Sequence, residues 1–332
     1  MSAVGCQQVA HEDFTYQRGV QLLAAGSPKS AIPFFSQVIS AVPDGPQPHA
    51  MLALAHALDQ QPKLAVKEAA RVHRKAKSDG KVGWEHVALG VAALRQHQPS
   101  DAALHFAKVY AAAPSGSAVR SAAGQWLALA LLLKGDRKAA LVCLDRCVTA
   151  PELIGTRTTC LLWTALIRGY GRNSTKATVD LAKAAKRVMG GRQEQPLSLE
   201  DAADADSQEL CNAAVAAIAV GDLDQAEPLL EILDARGANT YDASVWLGLV
   251  NAAQGRWSQA RKRLKAACEA GPMGSQGLAN HLYGVVSALE SQPSHMLHHV
   301  LLGQRKLRRE PLLMQAPPKA QRDNVWLSHE MH

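Results

Sequence analysis

Three stretches of this chain repeat one spacing of side-chain sizes. Gly19, Ala31, Phe35 and Pro43 stand 12, 4 and 8 residues apart; Gly90, Ala102, Phe106 and Pro114 keep those intervals, and so do Gly248, Ala260, Leu264 and Pro272. On helices the spacing has a physical reading. A small residue in a first helix lets a second helix approach, a small residue near the start of the second completes the contact, and a bulky apolar residue one turn on fills the remaining space. Pro then stops the second helix. Turn signals fall between the two helices of the units: "AGSPKS" from Ala25, "HQPSDA" from His97, "KGDRKA" from Lys134, "VGDLDQA" from Val220 and "QGRWSQA" from Gln254. Each unit therefore reads as helix, short turn, helix.

The fullest copy, "SVWLGLVNAAQGRWSQARKRLKAACEAGP" at Ser244–Pro272, resembles the tetratricopeptide repeat family, whose unit is a helix-turn-helix of about 34 residues. Trp246, Leu247, Gly248, Ala260, Leu264 and Pro272 carry the match. The same register places Ala53 and Ala65 in a second unit, Ala128, Ala140 and Leu144 in a fourth, Ala165, Ala177 and Leu181 in a fifth, and Ala214, Ala226 and Leu230 in a sixth, for about seven units. The second-helix markers at 31, 65, 102, 140, 177, 226 and 260 give steps of 34, 37, 38, 37, 49 and 34. Units two, four and five depart from the pattern: Lys77 replaces the closing Pro, Pro151 falls one residue early, and the fifth unit has few signature residues. The resemblance spans residues 13–272 and implies an all-α, right-handed α-solenoid of helical hairpins.

The expected organisation is a flexible start at 1–12, a block of about five repeats at 13–189, a joint at 190–207, two further repeats at 208–272, degenerate or capping helices at 273–309, and a Pro-rich irregular tail at 310–332. The joint "GGRQEQPLSLEDAADADS" breaks helix with Gly-Gly and Pro196 and gathers Glu194, Glu200, Asp201, Asp204 and Asp206. An array needs solvent-facing caps, and helices around Leu278–Leu289 and Met296–Leu307 are placed to provide one.

The resemblance also implies that first helices line a concave face, where partners are usually received. One residue after each packing Gly or Ala stand Val20, Leu54, Val91, Leu129, Leu166, Val215 and Leu249, and a turn further on Leu23, Ala57, Leu94, Leu132, Gly169, Ile218 and Ala252. Two readings of this apolar strip stay open. Either it is buried within the array, or it is a groove for a helical or apolar segment of a protein partner, with Val91, Leu94, Leu129 and Leu132 as central anchors. Relatives that clamp a terminal carboxylate use Lys, Arg and Asn there, so the aliphatic residues argue against that mode. Self-association is a further outlet for such a strip.

The net charge is +7, from 36 Lys and Arg against 29 Asp and Glu. Lys63, Lys67, Arg71, Arg74 and Lys75 share one face of a second helix, and Arg305, Lys306, Arg308 and Arg309 form a second cluster. Both read as solvated helix faces or as contacts for nucleic acid or an anionic membrane surface. Aromatic residues are 5% of the chain and do not interleave with these charges as stacking platforms for bases would.

Motifs that carry chemistry are missing from the sequence: no GxGxxG after a strand, no phosphate loop of the GxxxxGK type, no GxSxG and no HExxH. Catalysis and cofactors are not expected. His295, His298 and His299 have helical ligand spacing, but no Cys or carboxylate completes a shell, so no metal is expected. The six Cys include no CxxC pair, and Cys143 and Cys147 read as buried thiols. No apolar run reaches the roughly 20 residues of a membrane span. The start "MSAVGCQQVAHEDF" lacks a secretory leader, so a cytoplasmic location is expected; the alternative is lipid anchoring through Cys6 in "AVGC" if translation begins upstream.

Overall fold

The computed structural model describes residues 14–23, 27–75, 83–115, 117–149, 154–190, 197–198, 200–237, 240–270 and 277–307. The described residues form sixteen α-helices, one short 3₁₀ turn and no strand. The helices are α1 (14–23), α2 (Pro28–Ala41), α3 (Pro46–Leu58), α4 (Pro62–Lys75), α5 (Trp84–Arg95), α6 (Pro99–Ala112), α7 (Ala118–Leu133), α8 (Arg137–Thr149), α9 (Ile154–Tyr170), α10 (Ser174–Met189), α11 (Ser207–Val220), α12 (Leu223–Ala235), α13 (Thr240–Ala253), α14 (Trp257–Ala270), α15 (Gly277–Leu289) and α16 (Pro293–Leu307). Consecutive helices follow one another in eight helix-turn-helix pairs, of which the fourth, α7 and α8, spans the division of the chain into two units.

One turn design joins the two helices of every pair. Eight residues after the packing Gly or Ala, a backbone N–H reaches back to the carbonyl five residues earlier: Ser27 to Leu22, Gln61 to His56, Gln98 to Ala93, Asp136 to Leu131, Asn173 to Arg168, Asp222 to Ala217, Arg256 to Asn251 and Gln292 to Ser287, all at 2.8–2.9 Å. This is the Schellman closure, which requires a left-handed residue just before the donor. That position holds Gly135, Gly221 and Gly255, with φ of 79°, 89° and 79°, but also Gln60, His97, Arg172 and Ser291, with φ of 56–62°. Second helices then start with Pro at Pro28, Pro62, Pro99 and Pro293, where no N–H is needed, or behind side-chain caps from Asn173 and Asp222.

The size pattern acts as its spacing predicts. A Cβ added to Gly90 would come within 2.5 Å of the Phe106 ring, and one on Gly248 within 2.7 Å of Leu264 Cγ. Gly284 meets Val300 in the same way. Gly284, Met296 and Val300 keep the 12 and 4 spacing, so α15–α16 is an eighth copy of the hairpin, with Met where the other copies have Ala. The closing positions Lys77, Pro151 and Pro272 lie outside the described residues.

The chain divides between Asp136 and Arg137 into two compact units. In the first, containing α1–α7, helices pack in sequence and first helices meet, α3 on α5 and α5 on α7. In the second, containing α8–α16, neighbours again pack in order, but α9 also packs against α13 and α15, and α10 against α13. The first helix of hairpin five thus contacts those of hairpins seven and eight. The 49-residue step lies between hairpins five and six, and across it α9 and α10 reach past α11. The segment 190–207 lies inside the second unit. In its described part Ala202, within the 3₁₀ turn Asp201–Ala203, is fully buried, and Arg236 at the end of α12 donates to the carbonyls of Ala202 at 2.8 Å and Ala203 at 2.7 Å, and to that of Ala205. Asp206 then caps α11 in a reciprocal box with Glu209.

Candidate interaction surfaces

The aliphatic strip of the first helices is core. Val20, Leu23, Leu54, Val91, Leu94, Leu129, Leu132, Leu166, Val215, Ile218 and Leu249 are each at most 4% exposed. Of the two readings open in the sequence, the structure supports burial, and the expectation of an open groove along these residues is corrected. In the second unit the cause is visible. Gly169 of α9 abuts the Ala252 carbonyl of α13 so closely that a Cβ has no room. Trp163 of α9 lies 6.3 Å, centroid to centroid, from His281 of α15. The strip residues Gly169 and Ala252 are thus each other's partners. In α3 each residue from His49 to Ala57 is buried, so that first helix is covered on every face.

The polar groups within these walls are tied internally. His49 Nδ1 lies 2.9 Å from Glu68 Oε2, and Arg71 donates to both Glu68 oxygens at 2.8 and 3.1 Å. Arg168 of α9 binds Asp180 of α10 and reaches Asp145 of α8 at 3.3 Å. Burial raises the Asp180 pKa against the opposing pull of Arg168. His281, wholly buried, is lowered to about 4 by desolvation. Burial, and then His298 and His295, lower His299 to about 4 as well.

The basic cluster of α4 is only partly available. Lys63 and Lys67 are exposed, whereas Arg71 is spent on Glu68. Arg74 and Lys75 lie on α4, and Arg305 and Lys306 on α16, with side chains outside the described set; Arg308 and Arg309 lie outside the described residues. Other cations are paired across hairpins, Arg256 with Glu227, Arg261 with Glu290 and Arg263 with Asp234. Cys143 and Cys147 are buried, as expected of packing thiols, and so are Cys160 and Cys211; Cys6 lies outside the described residues. A cavity of about 480 Å³ in the second unit is lined by Asp201, Asp204, Glu209 and Asn212 with Leu197, Ala205 and Ala213.

Some aliphatic side chains of the second helices remain open, besides Phe14 of α1 and Val220 at the end of α11. Leu104 of α6 is 64% exposed, Val142 of α8 52% and Val179 of α10 47%. Each stands two residues after its marker Ala102, Ala140 or Ala177. On α4, Leu64 and Val66 are also exposed, beside Lys63 and Lys67. The sequence reading missed these residues because it sought function on first helices. A comparison of the second helices position by position would have found them, since that register normally faces water. Among the described residues no helix is long and apolar enough to cross a membrane.

Residues 211–274 match the tetratricopeptide repeat family model. Among solved structures, the chain is similar to PilF of Pseudomonas aeruginosa, at 16% identity over 71% of this chain and 96% of that one, TM-score 0.45. It is also similar to the C-terminal part of a repeat protein of Cytophaga hutchinsonii, at 13% identity over 82% and 99% of the two chains, TM-score 0.45. A third similarity is to the TPR2AB domain of yeast Sti1 in its pHSP90 complex, at 14% identity over 85% and 98%, TM-score 0.31. No curated protein matches the chain.

Proposed function

We propose that this helical repeat protein, which carries tetratricopeptide repeats, is a non-catalytic cytoplasmic scaffold that receives a protein partner on the outer faces of its second helices. A role in protein–protein interaction follows from the repeat family at the general level. The outer-face assignment rests on one observation: the aliphatic strip of the first helices is buried, while in the second unit Val142 and Val179 stand exposed at one shared register. An exposed aliphatic side chain on an otherwise solvated helix face gains by burial against a partner, about 1.5–3 kcal/mol for each fully covered residue. The test is cross-linked capture from the native host with the wild-type chain and with the double variant Val142→Glu, Val179→Glu. The variant should keep its helicity and lose the cross-linked partner. Full retention of the partner would refute the outer-face assignment.

A second reading has its own observation. Exposed Lys63 and Lys67 beside exposed Leu64 and Val66 give α4 the character of a helix that lies on an anionic surface. Salt separates the two readings: an electrostatic contact weakens steeply as ionic strength rises, whereas capture through the aliphatic residues changes little.

A further inference from the structure

One helix of the second unit gathers exposed positive charge on a single face. On α10, Lys176, Lys183, Lys186 and Arg187 are exposed and stand three residues before and four, seven and eight after exposed Val179, which places all five within an arc of about 100°. None of these four cations enters an ion pair among the described residues. On α8, Lys138 and Arg146 stand four residues to either side of Val142, and all three are exposed. Both helices pack on α9. Arg168 of α9 ties them together, binding Asp180 of α10 and reaching Asp145 of α8 at 3.3 Å. Those two Asp are the only acidic residues in α8 and α10, so nothing on either helix offsets the charge around Val179. The contrast is α14, whose Arg261 and Arg263 are answered by Glu290 and Asp234.

We propose that the α8–α10 face receives an acidic amphipathic helix of a protein partner, with an aliphatic stripe over Val142 and Val179 and Glu or Asp side chains against Lys138, Lys176, Lys183 and Lys186. The inference rests on the outer-face reading above and adds to it the chemistry of the partner. Charge complementarity carries it: an aliphatic centre with a cationic rim matches an aliphatic stripe flanked by carboxylates. Exposed ion pairs add little affinity each. The rim charges therefore steer the encounter and set the orientation of the segment, while the aliphatic contact governs how much partner is held at equilibrium. Nucleic acid matches this face less well, because neither helix contains an aromatic residue on which bases would stack. A bilayer also matches it less well. Val142 and Val179 are the only exposed apolar side chains among those described on the two helices, where helices that lie in a membrane surface insert Trp, Phe or Leu.

The experiment uses the full chain and a fluorescein-labelled synthetic helix of about 18 residues, built from Glu, Ala and Leu with Leu on one stripe and Glu on both its flanks, followed by stopped-flow anisotropy. The peptide should bind the wild-type chain. Its association rate should fall about tenfold in the triple variant Lys176→Glu, Lys183→Glu, Lys186→Glu, stay near wild type when the same three positions carry Arg, and be unchanged by Lys63→Glu with Lys67→Glu on α4. All of these positions are exposed, and far-ultraviolet circular dichroism checks that helicity is kept. The comparison probes are the same peptide with Lys in place of Glu, oligouridine, and phosphatidylserine vesicles. Lack of binding to the Glu peptide, an unchanged rate in the triple variant, equal binding of the Lys peptide, or tighter binding of oligouridine or vesicles would each overturn the proposal. So would self-association in sedimentation that the triple variant abolishes, since the occupant would then be a second copy. Cross-linked capture from the native host separates the two levels of the argument. Loss of the partner in Val142→Glu, Val179→Glu with full capture by the triple variant refutes the acidic segment and leaves the outer-face reading standing, whereas retention in the double Val variant removes that reading itself.

Discussion

Lowering the pH from 7.5 to 5 should destabilise the second unit in part through His281, and a Leu at that position should remove that part of the effect. His281 is wholly buried on α15 against Trp163 of α9, and its pKa is lowered from 6.5 to about 4 by desolvation. The folded state therefore holds this imidazole neutral, while the unfolded chain protonates it below about pH 6.5. The sign follows: the contribution is fully present above the unfolded pKa and is lost as pH falls toward the folded one. At 1.36 kcal/mol per pKa unit, the limiting loss is on the order of 3 kcal/mol, of which about 2 kcal/mol has gone by pH 5. For a unit of this size that is a drop in Tm of about 4–8 °C. His299, also lowered to about 4, adds a loss of the same sign in both proteins and cancels in the difference, as do the carboxylates. The assay is thermal or urea unfolding of wild type and H281L at several pH values, followed by tryptophan fluorescence. The wild-type-minus-variant difference should shrink steadily from pH 7.5 to 5. A difference independent of pH would show that His281 titrates alike in both states and would refute the burial argument.

Further outcomes follow from the same packing. Leu129→Asp with Leu132→Asp places two charges in the core and should cost well over 4 kcal/mol with loss of helicity, whereas Val142→Glu should leave Tm nearly unchanged; both are read by circular dichroism on heating. Gly169→Val drives a side chain into the Ala252 carbonyl and should cost about 1–3 kcal/mol or more, with increased proteolysis of α13 detected by mass spectrometry. In the turns, His97 sits at φ 57°, so His97→Gly should stabilise by up to about 1 kcal/mol, while Gly135→Ala should destabilise by a similar amount in urea titration.

The repeat was legible because it rests on local physics. Gly19, Gly90 and Gly248 sixteen residues before Phe35, Phe106 and Leu264 describe two helices touching across a short turn, and both partners lie within one unit of sequence. The eighth hairpin was read only as a degenerate cap because Met296 occupies a position where the other copies carry Ala. The candidate site was less legible. Aliphatic residues such as Leu129 and Val215 look the same in sequence whether they line a groove or fill a core.

Sequence by itself thus determined the all-helical hairpins, their register and their turn closures, since each depends on residues fewer than about thirty positions apart. Only the tertiary structure decided that α9 reaches α13 and α15, and that Leu104, Val142 and Val179 on second helices are exposed while the first-helix strip is buried. The physical reason is range. Contact between helices of hairpins five, seven and eight depends on how small angular steps accumulate from one hairpin to the next and on the long step after Met189, and no local pattern of residue sizes encodes that sum.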